Sequence, residues 1–418
     1  MAEKRIVLGN CGVIDPQNIE TYLAKGGFKA FIKARDKMKP QGIVEEIKKS
    51  GLTGRGGAGF PCGLKWELAR NTKAKTKYLI CNADEGEVGQ FKDKYLLSKD
   101  PFTLIEGMLI AGLAIGAQQA FIYLRAEYHV LYDQLCRAIE QAKEKGFLKH
   151  LDIKVFEGAG SYICGEESAL MNSIEGRRGE SRYKPPYPPT SGLWDKPTII
   201  NNVETLMNVP HIINNGAAWF SAMGTKRSKG TKVFCVSGDV ARPGVYELEM
   251  GSPLKELLIG LAGAKDIKAV QIGGSAGSII PASMIDTPLA HETFLGSGAV
   301  VALNSSRDII DIVHNDMHFL NEESCGKCTP CREGTEVILE ILGRLTRGEG
   351  VAGDISALED LARTMALASL CGLGQAAAVP VLDSLKYFRE EYINRIDQSL
   401  FLRSYLGSEF YKSKEGVR

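Results

Sequence analysis

The sequence predicts an α/β protein with a largely parallel sheet, followed by a small β-grasp module and a C-terminal helical bundle. Three observations lead there. Short apolar runs at 77–83 (KYLICNA), 120–125 (AFIYLR) and 152–158 (DIKVFEG) have the length and composition of buried strands, and helical stretches near 101–117 and 128–145 separate them. From 228 to about 305 the pattern becomes strand, Pro-Gly turn, strand and helix, with further strands at KAVQIGG and AVVALN. From 308 onward it is helical, with stretches near 332–347, 354–368 and 375–393 after a first helix at DIVHNDMHFLNEES. An N-terminal arm and helices near 18–37 and 40–50 come first, so the expected divisions are 1–50, 51–225, 226–306 and 307–418.

A chain of 418 residues is too long for one ordinary core. A net charge of +1 offers no electrostatic footprint for nucleic acid or for an anionic membrane surface. The start, MAEKRIVLGNCGV, lacks the apolar core of a secretion signal. The most apolar run, 104–124, contains Glu106, Gln118, Gln119 and three glycines, and reads as a buried helix running into a strand rather than a membrane span. The ten cysteines are therefore expected to be reduced or metal-bound. Cys81 and Cys235 lie in strand-like runs and read as core residues.

The chain is organised around GLTGRGGAGFPCGLK (51–65), with six glycines in its first thirteen residues. Glycines let backbone N–H groups approach a ligand and form an anion nest, most often for phosphate. Arg55 and Lys65 add positive charge, and the helix beginning at LKWELAR adds its N-terminal dipole. Gly54, Gly56 and Gly59 satisfy G-x-G-x-x-G, but a dinucleotide fingerprint follows a strand, whereas IVEEIKKSG reads as a helix ending at a C-cap Gly51. An ordinary Rossmann turn is thus rejected and a phosphate or cofactor loop kept; the bland alternative is a surface connector.

Further loops follow the predicted strands, where α/β sheets bind ligands. CNADEGEVGQFKDK (81–94) brings Asn82, Asp84, Glu85 and Glu87, suited to ribose or ribityl hydroxyls, or else to a helix cap with Asp84 at its head and Glu87 completing a capping box. GAGSYICGEESALMNSIEG (158–176) combines Gly158, Gly160 and Gly165 with Glu166 and Glu167 at a helix start. NNVET (201–205) offers two amides, or an ordinary cap by Asn202. SRYKPPYPPTSGLWDKPT, with five prolines, reads as a stiff exposed loop, either a spacer or one wall of a site.

Cys325, Cys328 and Cys331 form C-x2-C-x2-C, and Cys371 follows 40 positions after the third. Four thiolates suit a 4Fe–4S centre, whereas zinc sites show paired C-x2-C elements.

Together these segments resemble the NADH-binding flavoprotein of respiratory complex I, whose family also includes the diaphorase subunits of NAD-dependent hydrogenases and formate dehydrogenases. The resemblance is carried by GRGGAGFPCGLKW, CNADEGEVGQFKD, GAGSYICGEESALMNSIEG, KPPYPPTSGLWDKPTIINNVET, SCGKCTPCREG and LCGLGQ, in that order from about residue 18 to 393. It implies a Rossmann-like FMN domain, an SLBB-like β-grasp domain and a helical iron–sulfur domain. It also implies hydride exchange between NAD(H) and FMN, then single-electron transfer through a 4Fe–4S cluster. FMN contacts would come from Gly54, Arg55, Gly56, Gly57, Lys65, Asn82, Asp84, Glu85, Tyr162, Gly165, Glu166, Asn201, Asn202 and Thr205. Nicotinamide-nucleotide contacts would come from Phe60, Lys65, Glu87, Glu167, Lys184 and Tyr187, with Glu85 and Glu87 positioning the reacting rings and Glu167 disfavouring NADPH. Cys325, Cys328, Cys331 and Cys371 would hold the cluster.

Two departures stand out. Complex I members usually read D-E-S-E where this chain has Asp84-Glu85-Gly86-Glu87, and the second adenine-stacking aromatic is Leu68 here. The first, with the ending LCGLGQAAAVPVLDSLKYFREEY, looks more like the hydrogenase and formate-dehydrogenase branch, bifurcating forms included. Ferredoxin-like extensions are absent, so the resemblance implies partners: a thioredoxin-like 2Fe–2S subunit and a larger iron–sulfur or catalytic hydrogenase or dehydrogenase subunit. It implies a cytoplasmic placement, with any membrane association made through other subunits. The alternatives are the NADH-binding subunit of a quinone-reducing complex I and, more weakly, a non-catalytic iron–sulfur or zinc scaffold.

Overall fold

The structure, a computed structural model, describes residues 3–396. They fall into two compact units. One runs to Gly274 and includes Ala282–Asn304; the other joins Ser275–Pro281 to the residues from Ser305 onward.

In the first unit the helix expected at 18–37 is two, α1 (Ile19–Ala24) and α2 (Lys29–Lys37). Gly26 and Phe28 take left-handed backbone, with φ of 87° and 60°. A Cβ at Gly27 would stand 2.1 Å from the Tyr22 ring, so the chain must turn there. The N–H groups left open at α2 are satisfied from a distance. Glu106 accepts from the Phe28 and Phe31 amides at 2.9 and 3.0 Å, and from the Tyr22 hydroxyl. A lone carboxylate in an apolar helix is thereby accounted for as a remote cap. Helix α3 (Pro40–Ser50) starts with proline in its first turn and stops at Gly51, whose φ is 70°. It is followed by α4 (Cys62–Asn71).

The first sheet is parallel throughout: β1 (Tyr78–Ala83), β2 (Gln119–Leu124), β3 (Asp152–Glu157) and β4 (Thr198–Asn202), in the order β3-β2-β1-β4. Its connections are α5 (Lys92–Lys99), α6 (Pro101–Ile115), α7 (Tyr132–Glu144) and α8 (Glu167–Ile174), with α9 (Val203–Asn215) and α10 (Ala217–Ser221) after β4. Register matters more than strand content: Cys81 pairs with Asn201 and Asn82 with Asn202. The acidic loop and the NNVET segment therefore leave neighbouring strands at the same carboxyl edge. Beneath them α6 and α9 pack backbone to backbone, since a Cβ on Gly107 would lie 2.2 Å from the Leu206 carbonyl oxygen.

The second sheet contains β5 (Thr231–Gly238), β6 (Gly244–Glu249) and β7 (Ile267–Ile272); after β8 (Ser278–Pro281), which belongs to the other unit, comes β9 (Ala299–Asn304). Within the first unit the order is β6-β5-β9-β7, with β5 and β9 parallel and both outer pairings antiparallel. The helix expected after β6 is a single wide π-type stretch, Glu256–Leu261.

A buried ionic network joins the two sheets. Glu204, at the start of α9, is fully buried and meets Lys232 of β5 at 2.6 Å and Lys92 of α5 at 3.4 Å; it also accepts the Val233 amide at 2.8 Å. Burial alone would raise the Glu204 pKa, but Lys232, Lys92 and Arg55 hold it below the usual carboxylate range.

The second unit packs β8 with α11 (Ile309–Glu322), α12 (Thr329–Thr346), α13 (Asp354–Ala368), α14 (Gly372–Ala376), α15 (Ala378–Tyr387) and α16 (Arg389–Ile393). The helix expected over 375–393 is thus three, broken last at Phe388, whose φ and ψ of −130° and 29° are not helical. Among the described residues no helix is long and apolar enough to cross a membrane.

Removing one partner of a buried ion pair leaves an uncompensated charge, at a cost of roughly 3–5 kcal/mol. Glu204→Ala is accordingly expected to destabilise the first unit by about that amount, read from urea unfolding followed by tryptophan fluorescence. A loss below about 1 kcal/mol would show that the network adds nothing to stability.

Candidate functional site

The loops that leave the carboxyl edge of the parallel sheet gather in the first unit. The glycine loop is closed by Gly54 N–H to the Phe60 carbonyl and Cys62 N–H to the Leu52 carbonyl, both 2.9 Å. It follows a helix, as the sequence implied. Gly57 and Gly59 take φ of 124° and 65°, which side chains resist, and a Cβ on Gly56 would come within 3.1 Å of the Asn202 Cβ. The result is a backbone cradle at the N-terminal side of α4, with Lys65 in that helix's first turn.

The Arg55 side chain is engaged by the protein itself. Its guanidinium is fully buried, donating to Thr53 Oγ1 at 2.7 Å and to the Lys229 carbonyl, while its amide donates to Thr205 Oγ1 at 2.8 Å. Among the described residues its Nε has no hydrogen-bond partner. Arg55 and Thr205 thus set the shape of the loop.

The acidic loop divides in two. Helix α5 begins only at Lys92, so Asp84 and Glu87 form no capping box. Glu85 supplies the cap instead: its buried carboxylate accepts the Asp93 and Lys94 amides at 2.8 and 3.0 Å and the Tyr128 hydroxyl at 3.1 Å. Burial first, and Asp93 second, push its pKa up to about 7 against the pull of Lys92 and the two amides. Asn82 donates to the Gly165 carbonyl at 2.8 Å and accepts the Asp84 amide at 3.0 Å, tying the acidic loop to the second glycine loop. Glu87 points elsewhere, accepting the Tyr162 hydroxyl at 2.6 Å. A Cβ at Gly86 would lie 2.7 Å from the Tyr162 ring, so glycine at this departure from the family pattern lets that ring pack on the loop.

Glu166 caps α8, accepting the Ser168 and Ala169 amides at 2.9 and 3.0 Å. Glu167 is not a bare charge. Lys65 reaches it at 3.2 Å and Lys184, from the proline-rich loop, at 2.8 Å; Lys184 also meets Glu166 at 2.9 Å. Lys65 further donates to the Ile200 carbonyl at 3.0 Å. Burial works to raise the Glu167 pKa, and the two lysines outweigh it. Phe60, Leu68 and Tyr187 are exposed apolar side chains.

The two amides are structural as well as available. Asn201 accepts the buried Trp66 indole N–H at 2.8 Å. Asn202 caps α9 through the Glu204 amide, accepts Lys92 at 3.2 Å and donates to Asp93 at 2.6 Å. Sequence reasoning gave no role to Lys92, Asp93, Glu204 or Lys232, although they hold these amides in place. The available signal was Lys232, a lone lysine opening an apolar strand.

In the second unit Cys328 and Cys371 are the residues immediately before α12 and α14, and Cys331 lies in the first turn of α12. Burial pushes the Cys331 thiol up to about 11; Ser324 acts against this, and Cys328, Cys371 and Cys325 add to it. The Leu370 amide donates to Cys328 Sγ at 3.5 Å. A Cβ on Gly374 would stand 2.9 Å from the Cys331 Cβ, so glycine brings α14 against the triplet. Among the described residues no three His, Cys, Asp or Glu side chains converge on a single-ion site. A donor set of four thiols, with an N–H aimed at one sulfur, fits a 4Fe–4S cluster, whose ligands sit on separate irons.

Comparison with known proteins agrees with this geometry. Residues 47–211 match the family model of the Nuo51 FMN-binding domain, 233–278 the SLBB domain, and 311–395 the NADH-ubiquinone oxidoreductase-F iron–sulfur binding region. The chain is 42% identical over 411 residues to the NADP-reducing hydrogenase subunit HndC of Solidesulfovibrio fructosivorans, covering 94% of this chain and 84% of that one. It is equally 42% identical over 411 residues to an NADH-quinone oxidoreductase subunit of Rhizobium meliloti, covering 94% of this chain and 98% of the relative. A crystal structure of an NAD+-reducing NiFe-hydrogenase in the H2-reduced state superposes with a TM-score of 0.85 at 41% identity, over 90% of this chain and 66% of that chain.

Glu85 provides a pH test. Its folded pKa of about 7 lies above the ordinary 4.5, so its contribution to stability is present below 4.5 and lost as pH rises through 7. Melting temperatures measured from pH 5 to 8 are expected to fall less steeply in Glu85→Gln than in the parent; identical slopes would show that Glu85 does not titrate there.

Proposed function

Because this chain belongs to the family of NADH-binding FMN/4Fe–4S flavoprotein subunits, we propose that it exchanges hydride with NAD(H) at the cradle and hands electrons onward through Cys325, Cys328, Cys331 and Cys371 to partner subunits. The observation that carries this reading is the convergence of the glycine loop, the acidic loop and NNVET at the edge of β1 and β4. When bound, FMN supplies the step between a two-electron donor and a one-electron acceptor.

The side chains divide the work. Gly54, Gly56, Gly57 and Lys65 receive the phosphate end, with the loop shape set by Arg55 and Thr205. Asn82, Asp84, Gly165, Asn201 and Asn202 line the polyol and ring end, with Glu85 and Glu166 holding the local helix starts. Glu87, oriented by Tyr162, faces the nicotinamide nucleotide, which Phe60, Glu167, Lys184 and Tyr187 complete. No proton donor is required for hydride transfer itself; positioning is the protein's contribution. The Lys65–Glu167–Lys184 cluster governs how a 2′-phosphate is received, with Glu167 still the group that disfavours it.

The onward acceptor is proposed to be a hydrogenase or formate-dehydrogenase assembly with a thioredoxin-like 2Fe–2S subunit, on the strength of Gly86 and the C-terminal pattern. Relatives named as NADH-quinone oxidoreductase subunits at the same identity favour the second reading, a quinone-reducing complex, and copurified partners separate the two.

Anaerobic absorbance titration of the purified chain tests the reading. The flavin band is expected to bleach at about one equivalent of NADH and to need more NADPH. A flavin band indifferent to both nucleotides would remove the proposed activity. In Cys371→Ala, NADH should still bleach the flavin while reduction of the natural acceptor falls at least about a hundredfold; turnover equal to the parent would take Cys371 out of the electron path.

A further inference from the structure

The second sheet, to which the sequence assigned no chemistry, holds both cofactor loops from outside. His291, in the segment before β9, places its Nε2 3.0 Å from Thr53 Oγ1, at the mouth of the glycine loop. The other side of the imidazole lies over Gly59, where a Cβ would come within 2.7 Å of Nδ1. Further along the same segment, the Gly296 and Ser297 backbone faces Gly57, at 3.7 Å from the position of an added Cβ. The same module touches the acidic loop, since a Cβ on Gly274 would lie 2.1 Å from Glu87 Cγ.

His291 is itself anchored. Its amide donates to Ser228 Oγ at 3.0 Å, and that hydroxyl donates to Glu292 at 2.5 Å. Thr53 also accepts from the buried Arg55 guanidinium, so imidazole, hydroxyl and guanidinium form one chain beneath the loop. We propose that His291 is a positioning residue: through Thr53 and Gly59 it holds the glycine loop in the conformation that receives the flavin phosphate. Burial, with Arg55 and Lys232 nearby, pushes its pKa down to about 4, so it acts at neutral pH as an uncharged ring, by shape and hydrogen bonding.

The inference rests on reading that loop as the flavin site, and its test separates the two. Hydrogen exchange of the loop amides 53–60 is measured on the purified full chain for the parent, His291→Leu and His291→Gln. Leucine fills the ring's space without its nitrogens, whereas glutamine restores a polar group at the reach of Nε2. The expected result is about tenfold faster loop exchange in His291→Leu, near-parent rates in His291→Gln, and an unchanged melting temperature, as local rather than global opening requires. Release of FMN on dilution, followed by its fluorescence, should accelerate about tenfold in parallel. Loop exchange unchanged in His291→Leu, or acceleration spread evenly over the whole chain, would overturn the assignment. A parent chain that takes up no FMN would remove the flavin reading, while the exchange rates would still decide what His291 does to the loop.

Discussion

The carboxylate of Glu204 is the group on which the rest of the first unit depends. It is fully buried between two ammonium groups, one from the helix after the acidic loop and one from the first strand of the second sheet. Desolvating three charges is unfavourable unless each finds its partner, so this arrangement exists only when both sheets and α9 are in register. The demand propagates. Lys92 also holds Asn202, Asn202 holds Asp93, and Asp93 presents its amide to Glu85. A polar network under an α/β sheet thereby orients the loops at its edge, and a fault at one member reaches three of them.

The loops themselves are shaped by close approach. Gly56 against Asn202, Gly86 against Tyr162 and Gly274 against Glu87 are contacts that a methyl group would prevent or force apart. Where side chains cannot intervene, backbone geometry is set by neighbouring loops. The charged cluster Lys65–Glu167–Lys184 has a different character: it is partly exposed, and its two lysines come from a helix and from the proline-rich loop. Being partly exposed, it can rearrange at lower cost than the fully buried network around Glu204.

Much of this was legible in the sequence for physical reasons. Strands β1, β2 and β3 were evident because apolar runs of that length have no better use than a buried sheet. The stop at Gly51, which excluded an ordinary Rossmann turn, was evident from a helical period ending in glycine. What escaped detection was non-local. Nothing near residues 18–37 shows that Glu106 caps a helix start 78 positions away, at Phe28. Nor does the local sequence of the acidic loop show that the Glu85 carboxylate accepts the Asp93 and Lys94 amides further along the chain. The second sheet seemed inert because its contribution is a wall, made of glycines and one histidine, rather than a motif.

The placement of the cysteines has a consequence for biogenesis. Three come from one short stretch and the fourth from 40 positions further on, with all of α13 and most of α12 between them. A cluster bound by all four closes that long segment into a ring, as a cross-link would, and its binding energy counts toward folding. Folding of the C-terminal unit would then depend on the supply of the cluster.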